Sequence, residues 1–447
     1  MAATAAAAVR LQAPKRVGSR LLCGLIAGRA IFRVILYGAN VALLAGWGPE
    51  RYGHYAAASG ALICLLGLAQ AGPEKAALKL IPRAREGQFA MLGGLRTLIR
   101  GAPIVAFLAA ASLTAINASG TVALYAAAAA QSVALGLNIA AVAMQRALGR
   151  TIRDPVGFAL LSVAWVALTT LAVSAALEPS IYLLSLSAIT MIVSEITMRG
   201  TPVSHAGTAR TQRSSARRSL AQTAALMGVY DVAGAAAGSV AFLVLPFTGY
   251  ANQAGALYLA FTGWAFAASL FIYVARVFQP RLSIWLASDG AVTGRRQART
   301  LALWALRLNG VWLVATGLVI VAADLRRLPP GGGAAVILTT LLLSRGVIWC
   351  LTFASVSLLE NSDLKALGTV AKGAAAGFVL VAIASAALIP SFGAAGAVWA
   401  VSTDELALAA VVLWRSGSGA RLTARARECH ASGKAGRQKN QGRQEAR

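Results

Sequence analysis

Two arginines in the first long apolar segment are the residues best suited to bind a ligand. Arg29 and Arg33 lie within 21–47, a segment long enough to cross a bilayer as a helix. At about 100° per residue, Arg29, Arg33, Leu36 and Asn40 fall on one stripe. The polar members of the stripe, the two arginines and the asparagine, can therefore turn away from lipid together. A guanidinium is a planar fork of donors that matches carboxylate and phosphate oxygens. The stripe predicts a cationic surface that binds an anionic group inside the membrane.

An arginine at the middle of a membrane helix costs about 2.5–3.5 kcal/mol on insertion scales, so its presence needs an explanation. Two explanations stay open for Arg29 and Arg33. They face the substrate, or they form structural ion pairs with buried acids. The first explanation predicts a substrate site made of Arg29, Arg33, Asn40 and Arg345, the last being an intramembrane arginine further along the chain.

Three carboxylates lie near the middle of other apolar segments, namely Asp231, Asp404 and Glu405. Intramembrane acids mark ion sites or transport pathways by default. We expect Asp231 and Asp404, the latter beside Thr403, to take part in coupling to Na⁺ or H⁺. An ion pair to an arginine of the first helix is the alternative for both. Asp404 and Glu405 are about 100° apart on one helix, so we expect Asp404 alone to face the site.

Two further patterns have local, structural explanations. Glu195 stands four residues before Arg199 at the end of an apolar segment, a spacing that favours an ion pair within one helix. The sequence GAAAG at 234–238, beside Asp231, places small residues at a spacing that permits close approach of another helix.

Composition limits the class of protein. Apolar residues make up 58% of the chain and charged residues 13%, which indicates a polytopic membrane protein. The net charge of +26 is gathered between and after the apolar segments, so it does not predict binding of nucleic acid. The four cysteines have no metal-binding or redox spacing. No lysine is followed by Ser or Thr, so a Walker A sequence is absent. We predict no catalytic residues, no metal site and no enzymatic activity.

Apolar segments of membrane-spanning length predict an all-α fold with about twelve transmembrane helices. Most of the 41 Lys and Arg residues lie in the tails and in alternate loops, whereas the opposite loops hold Arg51, Arg326 and Arg327. The positive-inside rule therefore predicts that both termini are cytosolic. The predicted helices are 21–47, 53–72, 96–116, 119–143, 156–177, 180–199, 220–247, 252–276, 301–323, 334–358, 366–389 and 393–414.

The basic segment 200–219 divides these helices into two predicted six-helix bundles around a central cavity, 21–199 and 220–414. A short similarity between the segments that begin at Gly53 and Gly255 indicates two parallel repeats, with the substrate path between them. The tails 1–20 and 415–447 are basic, and we expect the second to be disordered and able to lie on anionic membrane lipids.

The segment WGPERYGHYAAASGALICLLGLAQAGPEKAALKLIPRARE, 47–86, resembles the second-helix region of the O-antigen and polysaccharide flippases. These proteins belong to the multidrug/oligosaccharidyl-lipid/polysaccharide exporter superfamily. In them a G-P-x-x-Y-G turn precedes the helix and an I-P-x-A-R-E-like loop follows it. The segment ANQAG, 251–255, departs from the corresponding turn in the second half.

The resemblance implies an ATP-independent flippase that moves a polyprenyl-pyrophosphate-linked oligosaccharide across the bacterial plasma membrane by alternating access. It implies that Arg29 and Arg33 receive the pyrophosphate, and that Asp231, Thr403 and Asp404 lie where related flippases bind sodium. Glycosyltransferases and a glycan polymerase of the same pathway are the implied partners. The alternative is a cation-coupled multidrug exporter of the same superfamily, which would favour an acidic cavity over a cationic one.

Overall fold

The computed structural model describes residues 19–81, 88–201, 210–266 and 364–445, together with single positions between 268 and 356. Its regular elements in these ranges are helices. Seven of them are long and apolar enough to cross a membrane, and two of the seven, Ala27–Leu80 and Leu367–Val411, are 54 and 45 residues long. A crossing takes about 20 residues, so each of these two accounts for two crossings. The predicted all-α, multi-pass membrane fold is confirmed.

The first long helix, α1 (Ser19–Ala61), contains the first crossing and the beginning of the second, which are joined by a sharp turn at Gly48, where φ is 79°. This positive φ suits glycine, and the following Pro49 starts the next helical turn with its φ already fixed. After Leu62 the second crossing continues as α2 (Ile63–Leu80). The second crossing is therefore longer than the predicted 53–72. Its extra turns carry charged residues, which are buried because they find partners inside the protein.

The remaining helices follow the predicted order with shifted ends. α3 and α7 begin well before the predicted starts, and half of the predicted linker 200–219 is helical. The segment 415–445, which we expected to be disordered, continues the last helix, since its Ala, Arg, Gln and Glu residues favour helix. The bounds are α3 (Gln88–Ile116), α4 (Thr121–Ala147), α5 (Arg153–Ser174), α6 (Pro179–Met198), α7 (Arg210–Phe247), helix 254–266 and the C-terminal helix (Leu364–Glu445).

The C-terminal helix is bent at Gly393, where φ is 56°, so it also forms two crossings. Gln253, in the one-turn 3₁₀ helix Ala251–Gln253, accepts a hydrogen bond of 2.8 Å from the Ala394 N–H. The amide thereby caps a backbone donor that the bend leaves without a helical partner. This gives a structural role to Gln253 within the ANQAG sequence.

The core of the predicted N-terminal half is built around α4, which is buried along most of its length. α4 and α6 run in the same direction, and polar side chains spaced seven residues apart face each other along their seam. Ser194 donates to Asn138 over 3.0 Å, and Gln145 donates to Thr201 over 2.7 Å. Polar pairs of this kind hold membrane helices together in a fixed register.

Small residues bring α7 against the second crossing, as the GAAAG spacing predicted. A Cβ added to Gly67 would lie 2.8 Å from the Cβ of Ala235, and one added to Gly72 would lie 2.5 Å from the Ala224 carbonyl oxygen. At Gly228 the facing atoms are the backbone of Gly72 itself, at 3.2 Å. The two helices thus meet backbone to backbone, which joins the two predicted halves.

Gly72→Val should destabilise this contact, because its side chain would meet the α7 backbone, which cannot rotate away. We expect a loss of about 1–3 kcal/mol, the usual range for overpacking. The measurement is thermal unfolding of the purified protein in detergent. Gly101→Val in α3 is the control, since an added Cβ meets nothing within 4 Å there. Equal melting temperatures for the two variants would contradict the close α2–α7 contact.

Candidate functional site

Arg29 is held by a residue that the sequence did not single out. Its Nε lies 3.5 Å from Oδ1 of Asp154, at the start of α5, and its guanidinium lies 4.6 Å from the centre of the Phe158 ring. The structural alternative for Arg29 named Asp231 or Asp404 as the partner and did not consider Asp154. Asp154 lies in the first turn of α5, at the positive end of the helix dipole, a place where acidic side chains are common.

Asp154 belongs to a larger network of buried charges. Its Oδ2 lies 3.4 Å from Nε of Arg146 in α4, and Arg146 Nη2 lies 2.8 Å from Oε1 of Glu74 in α2. Gln70 donates to the other oxygen of Glu74 over 3.0 Å. The side chains of Glu74, Asp154 and Arg146 are only 0%, 1% and 5% exposed. Two guanidiniums and two carboxylates thus balance one another where α1, α2, α4 and α5 meet.

Sequence reasoning missed this network because hydropathy ends the second helix at 72 and the fourth at 143. Glu74 and Arg146 then fall in loops and count as solvated charges. The i, i+4 spacing of Gln70 and Glu74 was the one available signal that the second helix continues.

Arg33 is half-buried on α1. An aromatic cluster lies where the two predicted halves meet, and its member Tyr258 belongs to helix 254–266. The ring of Tyr258 lies 6.0 Å from that of Tyr55 on the second crossing and 5.9 Å from that of Phe242 on α7. The cluster places several aromatic rings where helix 254–266 and α7 meet the second crossing.

Asn40, predicted to line the substrate site, is 2% exposed and bonded within its own half. Its amide donates to the Leu36 carbonyl over 2.8 Å, and its oxygen accepts from the Tyr52 hydroxyl over 3.3 Å. Asn40 therefore fixes the first crossing against the second. Arg345, the fourth predicted member of the site, lies outside the described residues.

Asp231 pairs with a lysine across the α2–α7 contact. Lys75 Nζ lies 3.1 Å from Asp231 Oδ2 and 5.4 Å from the centre of the Tyr230 ring. The sequence analysis did not name Lys75 as a partner, and it is the extension of the second helix that brings this lysine to Asp231. The pair links the two halves by one charge from each. A Na⁺ ion bound at this carboxylate would have to displace the ammonium group.

Asp404 and Glu405 are both buried, at 3% and 2% exposure. Asp404 packs against Gly377 of the preceding crossing, where a side chain would collide with it. Thr403 donates to the Ala400 carbonyl of its own helix over 2.7 Å. The last crossing is therefore covered by protein on both faces at this level.

Glu195 pairs with another helix rather than within its own. Both of its oxygens accept from Arg100 of α3, each over 2.6 Å, and both side chains are more than 40% exposed. The predicted pair with Arg199 is wrong. A forked guanidinium bound to both carboxylate oxygens is stronger than a single contact between residues of one helix.

No family model and no curated protein matches this chain. Solved structures do. The chain is similar to a MOP superfamily transporter from Pyrococcus furiosus, at 14% identity and a TM-score of 0.61 over 88% of this chain and 94% of that one. It is also similar to an inward-facing MATE family multidrug resistance transporter, at 14% identity and a TM-score of 0.62 over 88% and 99%. An outward-facing MATE family transporter is similar at 13% identity and a TM-score of 0.61, over 90% of this chain and 95% of that one.

This chain has the fold of MOP superfamily transporters. The predicted fold class, an all-α membrane protein with about twelve transmembrane helices, is confirmed by this similarity. The similarity extends over nearly the full length of each of the three neighbours, so both predicted halves take part in it.

Glu74→Gln should destabilise the protein strongly, because it leaves Arg146 buried with less negative charge around it. We expect a loss of about 3–5 kcal/mol, the range for breaking a buried ion pair. Glu195→Gln is the control, because its pair with Arg100 is exposed and is worth below about 1 kcal/mol. Thermal unfolding in the same detergent compares the two. A Glu74 variant as stable as the Glu195 variant would show that the network is dispensable.

Proposed function

We propose that this protein is a secondary exporter, in which the substrate passes between the halves 21–199 and 220–414 by alternating access. The fold supports this proposal, since the chain is about equally similar to an inward-facing and to an outward-facing transporter, with TM-scores of 0.62 and 0.61. The driving force is a Na⁺ or H⁺ gradient, and the carboxylates of Asp231 and Asp404 are the proposed coupling groups.

We infer that the substrate is a small, partly aromatic organic molecule. The observation that carries this inference is the aromatic cluster of Tyr55, Tyr258 and Phe242 at the contact between the halves. Such rings bind other rings by offset or edge contacts and bind organic cations through their faces. Arg29 and Lys75 are offset by the acids beside them, so the described interior is not a one-sided cationic surface. Two of the three similar structures named above are multidrug resistance transporters.

A lipid-linked oligosaccharide is the second candidate substrate, and Arg33 is the observation that favours it. Arg33 is half-buried on the first crossing, and its forked donors suit the oxygens of a pyrophosphate. The resemblance of 47–86 to polysaccharide flippases supports the same candidate. It would place the protein in a bacterial plasma membrane beside glycosyltransferases and a glycan polymerase.

Tyr258→Ala should lower transport of an aromatic cation about tenfold, as expected when a ring contact of roughly 1 kcal/mol and its buried area are lost. The assay is uptake of ethidium into liposomes that contain the purified protein, under an imposed Na⁺ or H⁺ gradient. Phe247→Ala is the control, because that ring is 91% exposed at the end of α7. Gradient-independent ethidium movement, or equal loss in both variants, would contradict the first candidate.

Arg33→Gln should abolish movement of a fluorescent polyprenyl-pyrophosphate saccharide between leaflets if the second candidate is correct. The readout is the fraction of the labelled lipid that a membrane-impermeant quencher reaches. Arg33→Lys should retain part of the activity, since it keeps the charge but not the fork. A wild-type protein that leaves the lipid in its original leaflet excludes this candidate.

A further inference from the structure

The second crossing is interrupted near its midpoint, between Ala61 and Ile63. Leu62 has φ −104° and ψ 9°, outside the helical region, and separates α1 from α2. No proline lies between Pro49 and Pro73, so proline does not cause the break. Breaks without proline have other local causes, among them a side chain inserted into the hydrogen-bond ladder.

Ser239 of α7 is such a side chain. Its hydroxyl accepts a hydrogen bond from the Cys64 N–H over 3.1 Å and donates to the Gly60 carbonyl over 3.4 Å. In a regular helix the Cys64 N–H would donate directly to Gly60, four residues earlier. One hydroxyl can accept and donate at once, so Ser239 satisfies both backbone groups that the break separates.

The inserted hydroxyl comes from the other half of the protein. An unsatisfied backbone group in the bilayer core costs several kcal/mol, so the break depends on the presence of α7. If α7 moves away, Cys64 and Gly60 can recover their bond only by closing on each other, which straightens the helix. Phe242, one turn beyond Ser239, packs directly on Gly60 and would leave with it.

We propose that Ser239 couples the contact between the halves to the shape of the second crossing. The crossing is bent and bridged by Ser239 when α7 lies against it, and straight when α7 withdraws. Tyr55 stands before the break and Lys75 after it, so the change would move the aromatic cluster relative to the Lys75–Asp231 pair. This inference rests on the proposed alternating access, and it adds a positioning role for Ser239.

The test measures the bend itself by spin-label distances. Labels at His54 and Leu68, both exposed and on either side of the break, would be roughly 21 Å apart along a straight helix at about 1.5 Å per residue. The full chain, with its four native cysteines replaced by alanine, is studied in lipid nanodiscs. We expect Ser239→Val to shift the bent-to-straight ratio about fivefold toward the longer distance, as one lost hydrogen bond predicts.

Three further variants make the result decisive. Ser239→Thr keeps the hydroxyl at the volume of valine and should retain the wild-type distances, whereas Ser239→Ala should shift them. Ser162→Ala is the matched control, because this buried serine of α5 donates to Phe158 within its own helix over 2.8 Å. Unchanged distances in both the Val and Ala variants, or an equal shift in Ser162→Ala, would overturn the inference. These distances need no transported substrate, so a failure of the proposed function would appear separately, as absent transport by the wild-type protein.

Discussion

The absence of water from the bilayer core is the constraint on which this structure depends. Every buried charge and backbone group must find its partner within the protein, and the partner must already be in place when the helix packs. Arg29 finds Asp154, Arg146 finds Glu74, and Lys75 finds Asp231. None of these pairs joins residues of one helix. A buried polar group therefore finds its partner only if the right helices pack together. This requirement determines which helices are neighbours.

The pairs divide into two kinds by their location. The network around Asp154 lies within the first six helices, so it holds that bundle together and would stay closed during the proposed movement of the halves. The contacts of Asp231 and Ser239 instead cross from α7 to the second crossing. The small residues at Gly67 and Gly72 make these crossing contacts possible, because they let the two backbones approach. The contacts between α7 and the second crossing are the ones that the proposed change between conformations would break.

Sequence was sufficient for the parts of the fold that follow from the length and polarity of single segments. It predicted the first crossing, the turn at Gly48–Pro49 and the small-residue face of α7. It failed where a helix continues through charged residues. Glu74 and Lys75 resemble the start of a loop as long as their buried partners are unknown. The same omission left Lys75 out of the expected partners of Asp231. A pairing between helices depends on three-dimensional neighbours, which hydropathy does not contain.

In the proposed mechanism, the contacts between the halves would also link the binding of an ion or a substrate to the conformation of the protein. Separating α7 from the second crossing exposes Lys75, Asp231, the Ser239 hydroxyl and the backbone at Cys64 in one movement. Exposing these groups raises the free energy of the separated state unless water, an ion or a polar part of the substrate replaces the lost partners. A ligand that binds these groups only when they are apart stabilises the separated state by its difference in affinity. Under the proposed alternating access, the same polar groups that hold α7 against the second crossing would be the ones through which an ion or a substrate drives the halves apart.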